Sequence, residues 1–246
     1  MVRSSRSGEY IDPMFSALFG RISAAIPSQC EFCHAWPSQP ICAACITRFA
    51  RSQPRCQTCA VKVMNGVLRC GACIANPMSL NACLAAVSYE YPWAGLVSQF
   101  KFHDRPASAT QMAQVMRANT VMQPALDAAD WVIPMPLSAT RLRARGYNQA
   151  LVLARALNTG KLDSTVLLRI QDTPAQSLLD REDRLRAMAD AFAVEPLLAA
   201  LARGKRIVLV DDVMTTGATL HGAATALRSA GATHITGLVF ARTEAD

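Results

Sequence analysis

The sequence predicts an α/β fold, with a parallel sheet flanked by helices, preceded by a small cysteine-rich zinc module. Strand and helix signals alternate in the C-terminal part, as they do in chains that form parallel sheets. The N-terminal part carries four cysteine pairs of one spacing. The change in composition between these parts predicts an amphipathic segment at 1–27, a double zinc ribbon at 28–80 and an α/β domain at 81–246.

The N-terminal segment is too short and too polar to span a membrane. No apolar run in the 246 residues reaches the roughly 18 residues that a spanning helix needs. The stretch 14–26 carries Arg21 in its middle, and its hydrophobic residues recur at helical spacing. This pattern predicts a short amphipathic helix that packs on the rest of the protein. Because no secretion signal is recognisable, we expect the protein in the cytoplasm.

Composition and charge are typical of a soluble globular protein. Hydrophobic residues make up 51% of the chain and charged residues 17%. The formal net charge is +7, and eight basic against three acidic residues place +5 of it within residues 1–80. A basic surplus invites a nucleic-acid interpretation. Four thiolates around one Zn²⁺ carry −2, so two such sites would leave about +3, which makes the charge weak evidence for that partner.

Eight of the nine cysteines form C-x-x-C pairs. In a zinc knuckle this gap points both sulfurs at one metal, and two knuckles complete a tetrahedron. Disulfides are rare in the cytosol, and four redox motifs in series are not expected. The sequence therefore predicts two structural zinc ions, with the knuckles paired either consecutively or in an interleaved order. The predicted ligands are Cys30, Cys33, Cys42, Cys45, Cys56, Cys59, Cys70 and Cys73.

Such sites have structural consequences. A complete Cys₄ set leaves no open coordination position, so we expect no metal catalysis there. The segment around the cysteines is poor in large apolar residues, so zinc should supply much of its folding energy. The ninth cysteine, Cys83, has apolar neighbours and is predicted to be a small core residue.

A strand, a polar loop, a helix and a second strand follow one another near the C-terminus. Residues 207–210, Ile-Val-Leu-Val, form a continuous β-branched and aliphatic run, as in a parallel strand buried on both faces. The acids Asp211 and Asp212 come next, and a helix is predicted from about Thr219 to Gly231. Residues 235–240 supply the second strand. In such a βαβ unit the ligand site lies at the carboxyl end of the first strand.

The loop before the predicted helix has the composition of a phosphate site. A helix N-terminus offers free N–H groups and a positive dipole end. The hydroxyls of Thr215, Thr216 and Thr219 add donors, and Gly217 lets backbone amides curl around an anion. Two carboxylates beside this loop would repel a phosphate, but they can accept hydrogen bonds from sugar hydroxyls. The sequence therefore predicts a site for a phosphorylated ribose.

Two long motifs resemble a known family. Residues 207–220, IVLVDDVMTTGATL, look like the phosphoribosyl pyrophosphate (PRPP) binding motif of type I phosphoribosyltransferases. Residues 131–157, WVIPMPLSATRLRARGYNQALVLARAL, are similar to the ComF family of competence-associated proteins. Lys101-Phe102, Gln176-Ser177-Leu178 and Ala241-Arg242 fit that family's order, as does a preceding zinc ribbon. The resemblance covers about residues 28–243 and implies a type I phosphoribosyltransferase fold.

The resemblance also implies roles for individual residues. Asp211 and Asp212 match the acids that hold the ribose 2′ and 3′ hydroxyls, with Mg²⁺ nearby. The matched 5′-phosphate loop consists of Thr215, Thr216, Gly217, Ala218 and Thr219. The turn after Pro134-Met135-Pro136 matches the position where such enzymes hold pyrophosphate.

Cationic side chains are expected on the pyrophosphate side. Arginine suits polyphosphate oxygens, and Arg141 and Arg145 are the pair that resembles the family, whereas Arg143 is expected to face solvent. Lys101 is a further candidate for reaching the pyrophosphate or the leaving-group side.

The chain also departs from related patterns. The segment 172–190 resembles the mobile loop that closes over such sites, but Ala187 stands where the family has an Asn. Purine-salvage enzymes of this fold carry an Asp where Thr215 stands, and a threonine cannot take a proton there at neutral pH. Purine salvage is therefore not expected.

The resemblance implies an enzyme that displaces pyrophosphate from PRPP onto an unknown acceptor and that is linked to natural competence and DNA uptake. The alternative is a non-enzymatic factor that binds single-stranded DNA or senses PRPP, with the zinc ribbon contacting nucleic acid or DNA-uptake proteins. The aromatic residues Phe32, Trp36 and Phe49 show no regular stacking series, which weakens the DNA interpretation.

Overall fold

The computed structural model describes residues 28–103, 105–171, 188 and 190–244. Its contacts divide the chain into two compact units, 1–45 and 46–246. The helix predicted at 14–26 and nearly all of the closing loop predicted at 172–190, Ala187 included, lie outside the described residues. None of the described helices combines the length and the apolar character that a membrane crossing requires.

The described residues form helices and strands that are interspersed along the chain. The α-helices are α1 (Ala43–Phe49), α2 (Gly71–Ala75), α3 (Trp93–Phe102), α4 (Ser108–Ala118), α5 (Met122–Asp127), α6 (Ala139–Arg145), α7 (Gln149–Leu157) and α8 (Ala218–Ser229). The strands are β1 (Ala82–Ser88), β2 (Trp131–Pro134), β3 (Leu167–Arg169), β4 (Phe192–Val194), β5 (Arg206–Met214) and β6 (His234–Arg242). A 3₁₀ turn spans Ala199–Ala202.

Four strands of the larger unit form one parallel sheet in the order β1-β6-β5-β2. The two central strands, β5 and β6, are almost continuously buried, which is why their sequences are β-branched and aliphatic rather than alternating. Helix α7 packs on β5 and β2, and α4 packs on α7. The predicted α/β class with a parallel sheet and flanking helices is confirmed.

A second, two-stranded sheet pairs β3 with β4 in antiparallel register. Helix α8 packs against β4. This small sheet was not predicted, because its strands are only three residues each and carry little periodic signal.

The predicted βαβ unit is present, but its first strand is longer than predicted. The strand was expected to end in the acids Asp211 and Asp212, whereas β5 continues to Met214. Pairing with β6 extends it, since Asp211 lies opposite Val239 and Met214 opposite Arg242. Aspartate is a poor strand former on its own, so only the ladder with β6 reveals the true end.

The second cysteine cluster belongs to the core of the larger unit. Cys56, Cys59 and Cys73 are buried together with residues of the sheet and of α8. Arg242, only 6% exposed at the end of β6, donates from Nε to the carbonyl oxygen of Cys59 at 2.7 Å. The backbone N–H of Cys83 donates to the carbonyl oxygen of Gln57 at 2.7 Å. The cysteine-rich segment is thus hydrogen-bonded to both β1 and β6.

Cys83 itself is 3% exposed, and its sulfur lies 3.4 Å from the sulfur of Met214. Its prediction as a core residue is confirmed. The domain boundary predicted at residue 80 stays a prediction, since the compact units meet between Cys45 and Ile46 and that division concerns packing alone.

Candidate functional site

The eight paired cysteines lie in two groups of four, within each of which the sulfur atoms are all within 4.8 Å of one another. The groups are the consecutive ones, 30–45 and 56–73, so the knuckles pair in sequence order rather than interleaved. The Sγ atoms of Cys30 and Cys45 are 3.8 Å apart, and those of Cys59 and Cys70 are 3.7 Å apart. A tetrahedral site with Zn–S bonds of about 2.3 Å places its sulfurs about 3.8 Å apart. Both groups therefore fit a metal ion such as zinc.

Backbone donors favour thiolates in both groups. The N–H of Cys42 donates to Cys30 Sγ at 3.4 Å, and the N–H of Cys70 donates to Cys56 Sγ at 3.3 Å. A hydrogen bond from Cys73, helped by the charge of Arg242 and opposed by burial, lowers the pKa of Cys59 to about 4. With all four positions of each site taken by sulfur, these groups suit a structural metal and not a catalytic one.

A separate cleft of about 200 Å³ opens beside the ends of β2 and β5 in the larger unit. It brings together side chains that are far apart in the sequence. The predicted residues that line it are Lys101, Arg141, Arg145, Asp211, Asp212, Thr215 and Thr219. Met135 and Pro136, from the turn after β2, complete one wall. This position, outside the carboxyl ends of parallel strands, is the usual ligand site of such folds.

The two aspartates lie in different environments. Asp212 is 5% exposed, and its Oδ1 lies 3.0 Å from Lys101 Nζ in an ion pair. Its other oxygen, Oδ2, is buried and has no hydrogen-bond partner among the described residues. Asp211 is partly exposed, and its Oδ1 accepts from the backbone N–H of Asp212 at 2.9 Å. One oxygen of Asp212 is thus paired with Lys101, and the largely enclosed carboxylate of Asp211 lines the cleft beside it.

Burial and the neighbouring charge of Asp212 together raise the pKa of Asp211 to about 7, although Lys101 acts in the opposite direction. Two carboxylates in one desolvated site resist double ionisation. Near neutral pH Asp211 is therefore present in both its protonated and its ionised form. A cation or a set of hydroxyl donors in the cleft would favour full ionisation.

The predicted phosphate loop links β5 to α8. Thr215 and Thr219 line the cleft, and Thr216, Gly217 and Ala218 form the turn between them. Gly217 has φ of +85°, and a Cβ there would overlap the methyl group of Met214 and crowd that of Met78. The Oγ1 of Thr216 accepts from the N–H of Ala218 at 3.4 Å, which holds the first turn of the helix. The loop therefore presents the N-terminus of the twelve-residue α8 at the cleft.

The arginine side of the cleft comes from α6. Ser138 caps this helix by accepting from the N–H of Arg141 at 3.3 Å, and Gly146, with φ of +74°, ends it. Arg141 and Arg145 are one turn apart, so both reach the cleft from the same face. Arg143 is exposed and lies outside the lining, as expected.

Sequence reasoning missed two polar residues of the lining, Gln149 and Arg169. Gln149 is the first residue of α7, which Asn148 caps by accepting from the N–H of Leu151 at 3.2 Å. The cap residue Asn148, directly before Gln149 in the motif at 131–157, was the signal that could have found it. Arg169 ends β3, whose position relative to the large sheet is not readable from a three-residue strand.

Comparison with known proteins shows which families and proteins this chain is similar to. Residues 163–246, which contain both aspartates and the phosphate loop, match the phosphoribosyl transferase domain. The DNA utilization protein YhgH of Salmonella typhimurium is 32% identical over 156 residues, which cover 61% of this chain and 67% of that protein. Competence protein F of Haemophilus influenzae is 32% identical over 160 residues, 60% of this chain and 66% of that one. Competence protein ComFC of Bacillus subtilis is 36% identical over 100 residues, 41% of this chain and 39% of that one.

Proposed function

Because this chain belongs to the ComF family of competence-associated proteins, we propose that it binds PRPP and transfers the phosphoribosyl group to an acceptor. One observation carries the proposal. A single cleft joins two carboxylates at a strand end, a threonine-rich loop at a helix N-terminus, and three cationic side chains. This combination complements a sugar that carries a phosphate at one end and a pyrophosphate at the other.

The ribose end follows from the chemistry of β5 and α8. Asp211 and Asp212 accept hydrogen bonds from the ribose hydroxyls, and the unpaired Oδ2 of Asp212 is available for one of them. Thr215, Thr219 and the N-terminal N–H groups of α8 hold the 5′-phosphate. An intact aspartate pair and loop are what this binding mode requires.

The pyrophosphate end lies toward α6. Arg141 and Arg145 provide planar donors that suit phosphoryl oxygens, and Lys101 exchanges its bond to Asp212 for one to the ligand. Asp211 and Asp212 would help to hold Mg²⁺ together with the ligand, and the ion would further neutralise the pyrophosphoryl charge. We also assign one structural zinc ion to each cysteine group.

In the reaction, the bond from ribose C1 to the pyrophosphate oxygen breaks, a bond from C1 to the acceptor forms, and the proton that the acceptor loses passes to the departing pyrophosphate or to water. The side chains contribute position and charge: the aspartates orient the sugar, and the cations stabilise the departing pyrophosphate. Thr215 cannot take a proton from a purine nitrogen at neutral pH. The acceptor is therefore expected to be an amine, a small base that needs no such help, or a nucleic acid.

The first experiment is calorimetric titration of the zinc-loaded protein with PRPP and Mg²⁺, beside Asp211→Asn/Asp212→Asn. The wild type should show saturable binding, and the double variant should lose it by 100-fold or more, on the order of two ionic hydrogen bonds. Asp127→Asn, an exposed acid on α5, is the control and should bind as the wild type does. An acceptor screen that measures pyrophosphate release then tests turnover.

Absence of PRPP binding by the well-folded wild type would refute the proposed enzyme. That result would favour a second candidate function, in which the protein binds single-stranded DNA or DNA-uptake proteins without catalysis. Residues 28–45 contain no Lys or Arg, so the first cysteine group lacks the side chains that usually contact phosphates. The exposed Arg48, Arg51 and Arg69 favour the cysteine-rich part of the larger unit instead.

The salt dependence of binding distinguishes single-stranded DNA from a DNA-uptake protein as the partner of the surface that carries Arg48, Arg51 and Arg69. Each phosphate contact to a single strand contributes a slope of about −0.7 to the logarithm of affinity against the logarithm of salt. Three arginine contacts would give a slope of about −2. An affinity for single-stranded DNA that does not depend on salt would exclude the arginines as its source.

A further inference from the structure

Two buried polar side-chain atoms in the described part of the chain lack a hydrogen-bond partner, and both belong to residues that line the cleft. One is Oδ2 of Asp212, whose role in the proposed function is already given. The other is Nε2 of Gln149, a residue that is only 2% exposed. Buried polar atoms are paired in the great majority of cases. An unpaired donor and an unpaired acceptor in one cleft therefore point to a bound ligand that forms a hydrogen bond with each of them.

The orientation of the Gln149 amide is fixed by its neighbour. Arg145 Nη1 donates to Gln149 Oε1 at 3.2 Å. A guanidinium has donors only, so the atom that faces Arg145 must be the carbonyl oxygen and the NH₂ group must be the unpaired end. Arg145 is itself positioned over the ring of Phe102, with its guanidinium carbon 5.6 Å from the ring centroid.

The surroundings determine which acceptor the NH₂ group meets. Gln149 is the first residue of the nine-residue α7, so it lies at the positive end of that helix dipole. Arg141 and Arg145 line the same side of the cleft. Two cations, a helix N-terminus and an amide donor together select an anionic oxygen rather than a neutral hydroxyl.

We propose that the side-chain amide of Gln149 donates a hydrogen bond to the pyrophosphoryl group of PRPP, with Arg145 holding the amide in the required orientation. This inference rests on the proposed function, because it concerns the same site. The 5′-phosphate is already matched by Thr215, Thr219 and α8, so the pyrophosphoryl end remains for α6 and α7. Gln149 is thus a binding residue that fixes where the leaving group lies.

The test is titration calorimetry of Gln149→Met with three probes in the presence of Mg²⁺: PRPP, inorganic pyrophosphate and ribose 5-phosphate. Methionine keeps the length of the side chain but has no donor. We expect affinity for PRPP and pyrophosphate to fall about 10-fold to 100-fold, and affinity for ribose 5-phosphate to stay unchanged. Gln123→Met, the same change at an exposed position of α5, should bind all three probes as the wild type does.

A second variant distinguishes a direct hydrogen bond from Gln149 to the ligand from an indirect role in which Gln149 only orients Arg145. Gln149→Glu keeps an acceptor for Arg145 but replaces the NH₂ donor by a carboxylate oxygen. If Gln149 only supported Arg145, this variant would bind PRPP as tightly as the wild type. The proposal expects it to bind PRPP more weakly than Gln149→Met does, with an unchanged midpoint of thermal unfolding.

The outcomes are distinguishable. Wild-type affinity for PRPP in Gln149→Met overturns the role of Gln149 and leaves the proposed function intact. An equal loss for ribose 5-phosphate overturns the assignment to the pyrophosphoryl end. If Gln149→Met unfolds at a lower temperature, Gln149→Glu decides, because wild-type affinity in that variant overturns the proposal. A wild type that binds neither PRPP nor pyrophosphate overturns the proposed function itself.

Discussion

Asp211 holds its proton to an unusually high pH for a carboxyl group. Burial and the charge of Asp212 raise its pKa to about 7, so the folded state favours the protonated form. Between about pH 4 and pH 7 the folded chain therefore binds more protons at this residue than the unfolded chain. The free energy of unfolding falls as the pH rises through that window, and the aspartate lowers stability at pH 8.

Asp211→Asn removes the loss of stability that ionisation of this carboxyl group causes. We expect the variant to be more stable than the wild type at pH 8 by about 1–3 kcal/mol, with the difference shrinking toward zero as the pH falls to about 4. Denaturant unfolding at a series of pH values measures it. Asp127→Asn, an exposed acid outside the cleft, should leave the pH profile unchanged. A constant difference between Asp211→Asn and the wild type at all pH values would contradict the raised pKa.

Residue-scale chemistry was readable from sequence where it depends on neighbours along the chain. The cysteine pairs, the two aspartates and the threonine-rich loop carry their own signals, because ligand geometry at these sites depends on short spacing. The ion pair between Lys101 and Asp212 and the amide orientation of Gln149 were not readable. Both depend on side chains brought together by separate helices and strands.

Among elements, α8 stands out because it approaches another segment very closely at Gly222. A Cβ on Gly222 would overlap the backbone carbonyl oxygen of Met188 and crowd the ring of Phe192. Glycine in a helix interior is normally unfavourable by about 1 kcal/mol relative to alanine. At this position the absence of a side chain is what lets the helix pack against β4.

Gly222→Ala should therefore destabilise the protein by about 1–3 kcal/mol, despite the better helix propensity of alanine. The matched control is Gly95→Ala in α3, where a Cβ would meet nothing within 4 Å. That variant should be stabilised by about 0.5–1 kcal/mol. Thermal or denaturant unfolding of both variants measures the contrast. Equal effects of the two substitutions would show that the close approach at Gly222 does not contribute to the free energy of unfolding.

The elements were predictable to different extents. The helix and the second strand of the βαβ unit were predicted within two residues of α8 and β6, because each has a strong apolar pattern bounded by glycine or polar residues. Strand β5 extends two residues beyond its predicted end at Asp212, because its last part is stabilised by pairing with β6 rather than by its own composition. The β3–β4 pair had no usable signal.

At the scale of the whole molecule, the two cysteine groups belong to different compact units. The second group is bonded to the sheet through Arg242, and Arg228 of α8 donates to the carbonyl oxygen of Ser79 at 2.6 Å. Met78, just after this group, packs beside Gly217 in the phosphate loop. The second cysteine group is therefore part of the same compact unit as the cleft.

A comparison of two fragments tests this organisation. Residues 46–246 should unfold cooperatively and retain one zinc ion per chain, measured by atomic absorption. Residues 81–246 lack the cysteine group and two acceptors, the carbonyl oxygen of Cys59 for Arg242 and that of Ser79 for Arg228. This shorter fragment should unfold at a clearly lower temperature, by about 10 °C or more, because it loses one buried hydrogen bond, one exposed hydrogen bond and a metal site. Equal unfolding midpoints would instead support the boundary predicted at residue 80.

Strand β6 lies inside the sheet, between β1 and β5, although it is the last strand of the described chain. Its terminal residue Arg242 bonds to Cys59, 183 positions earlier. Contacts of such large sequence separation form late, because the intervening chain must first be ordered. During synthesis, the zinc ribbon and β1 therefore leave the ribosome long before the strand that joins them to β5. The parallel sheet of the larger unit can therefore be completed only after β6 has been synthesised, and until then β1 and β5 lack the strand that lies between them.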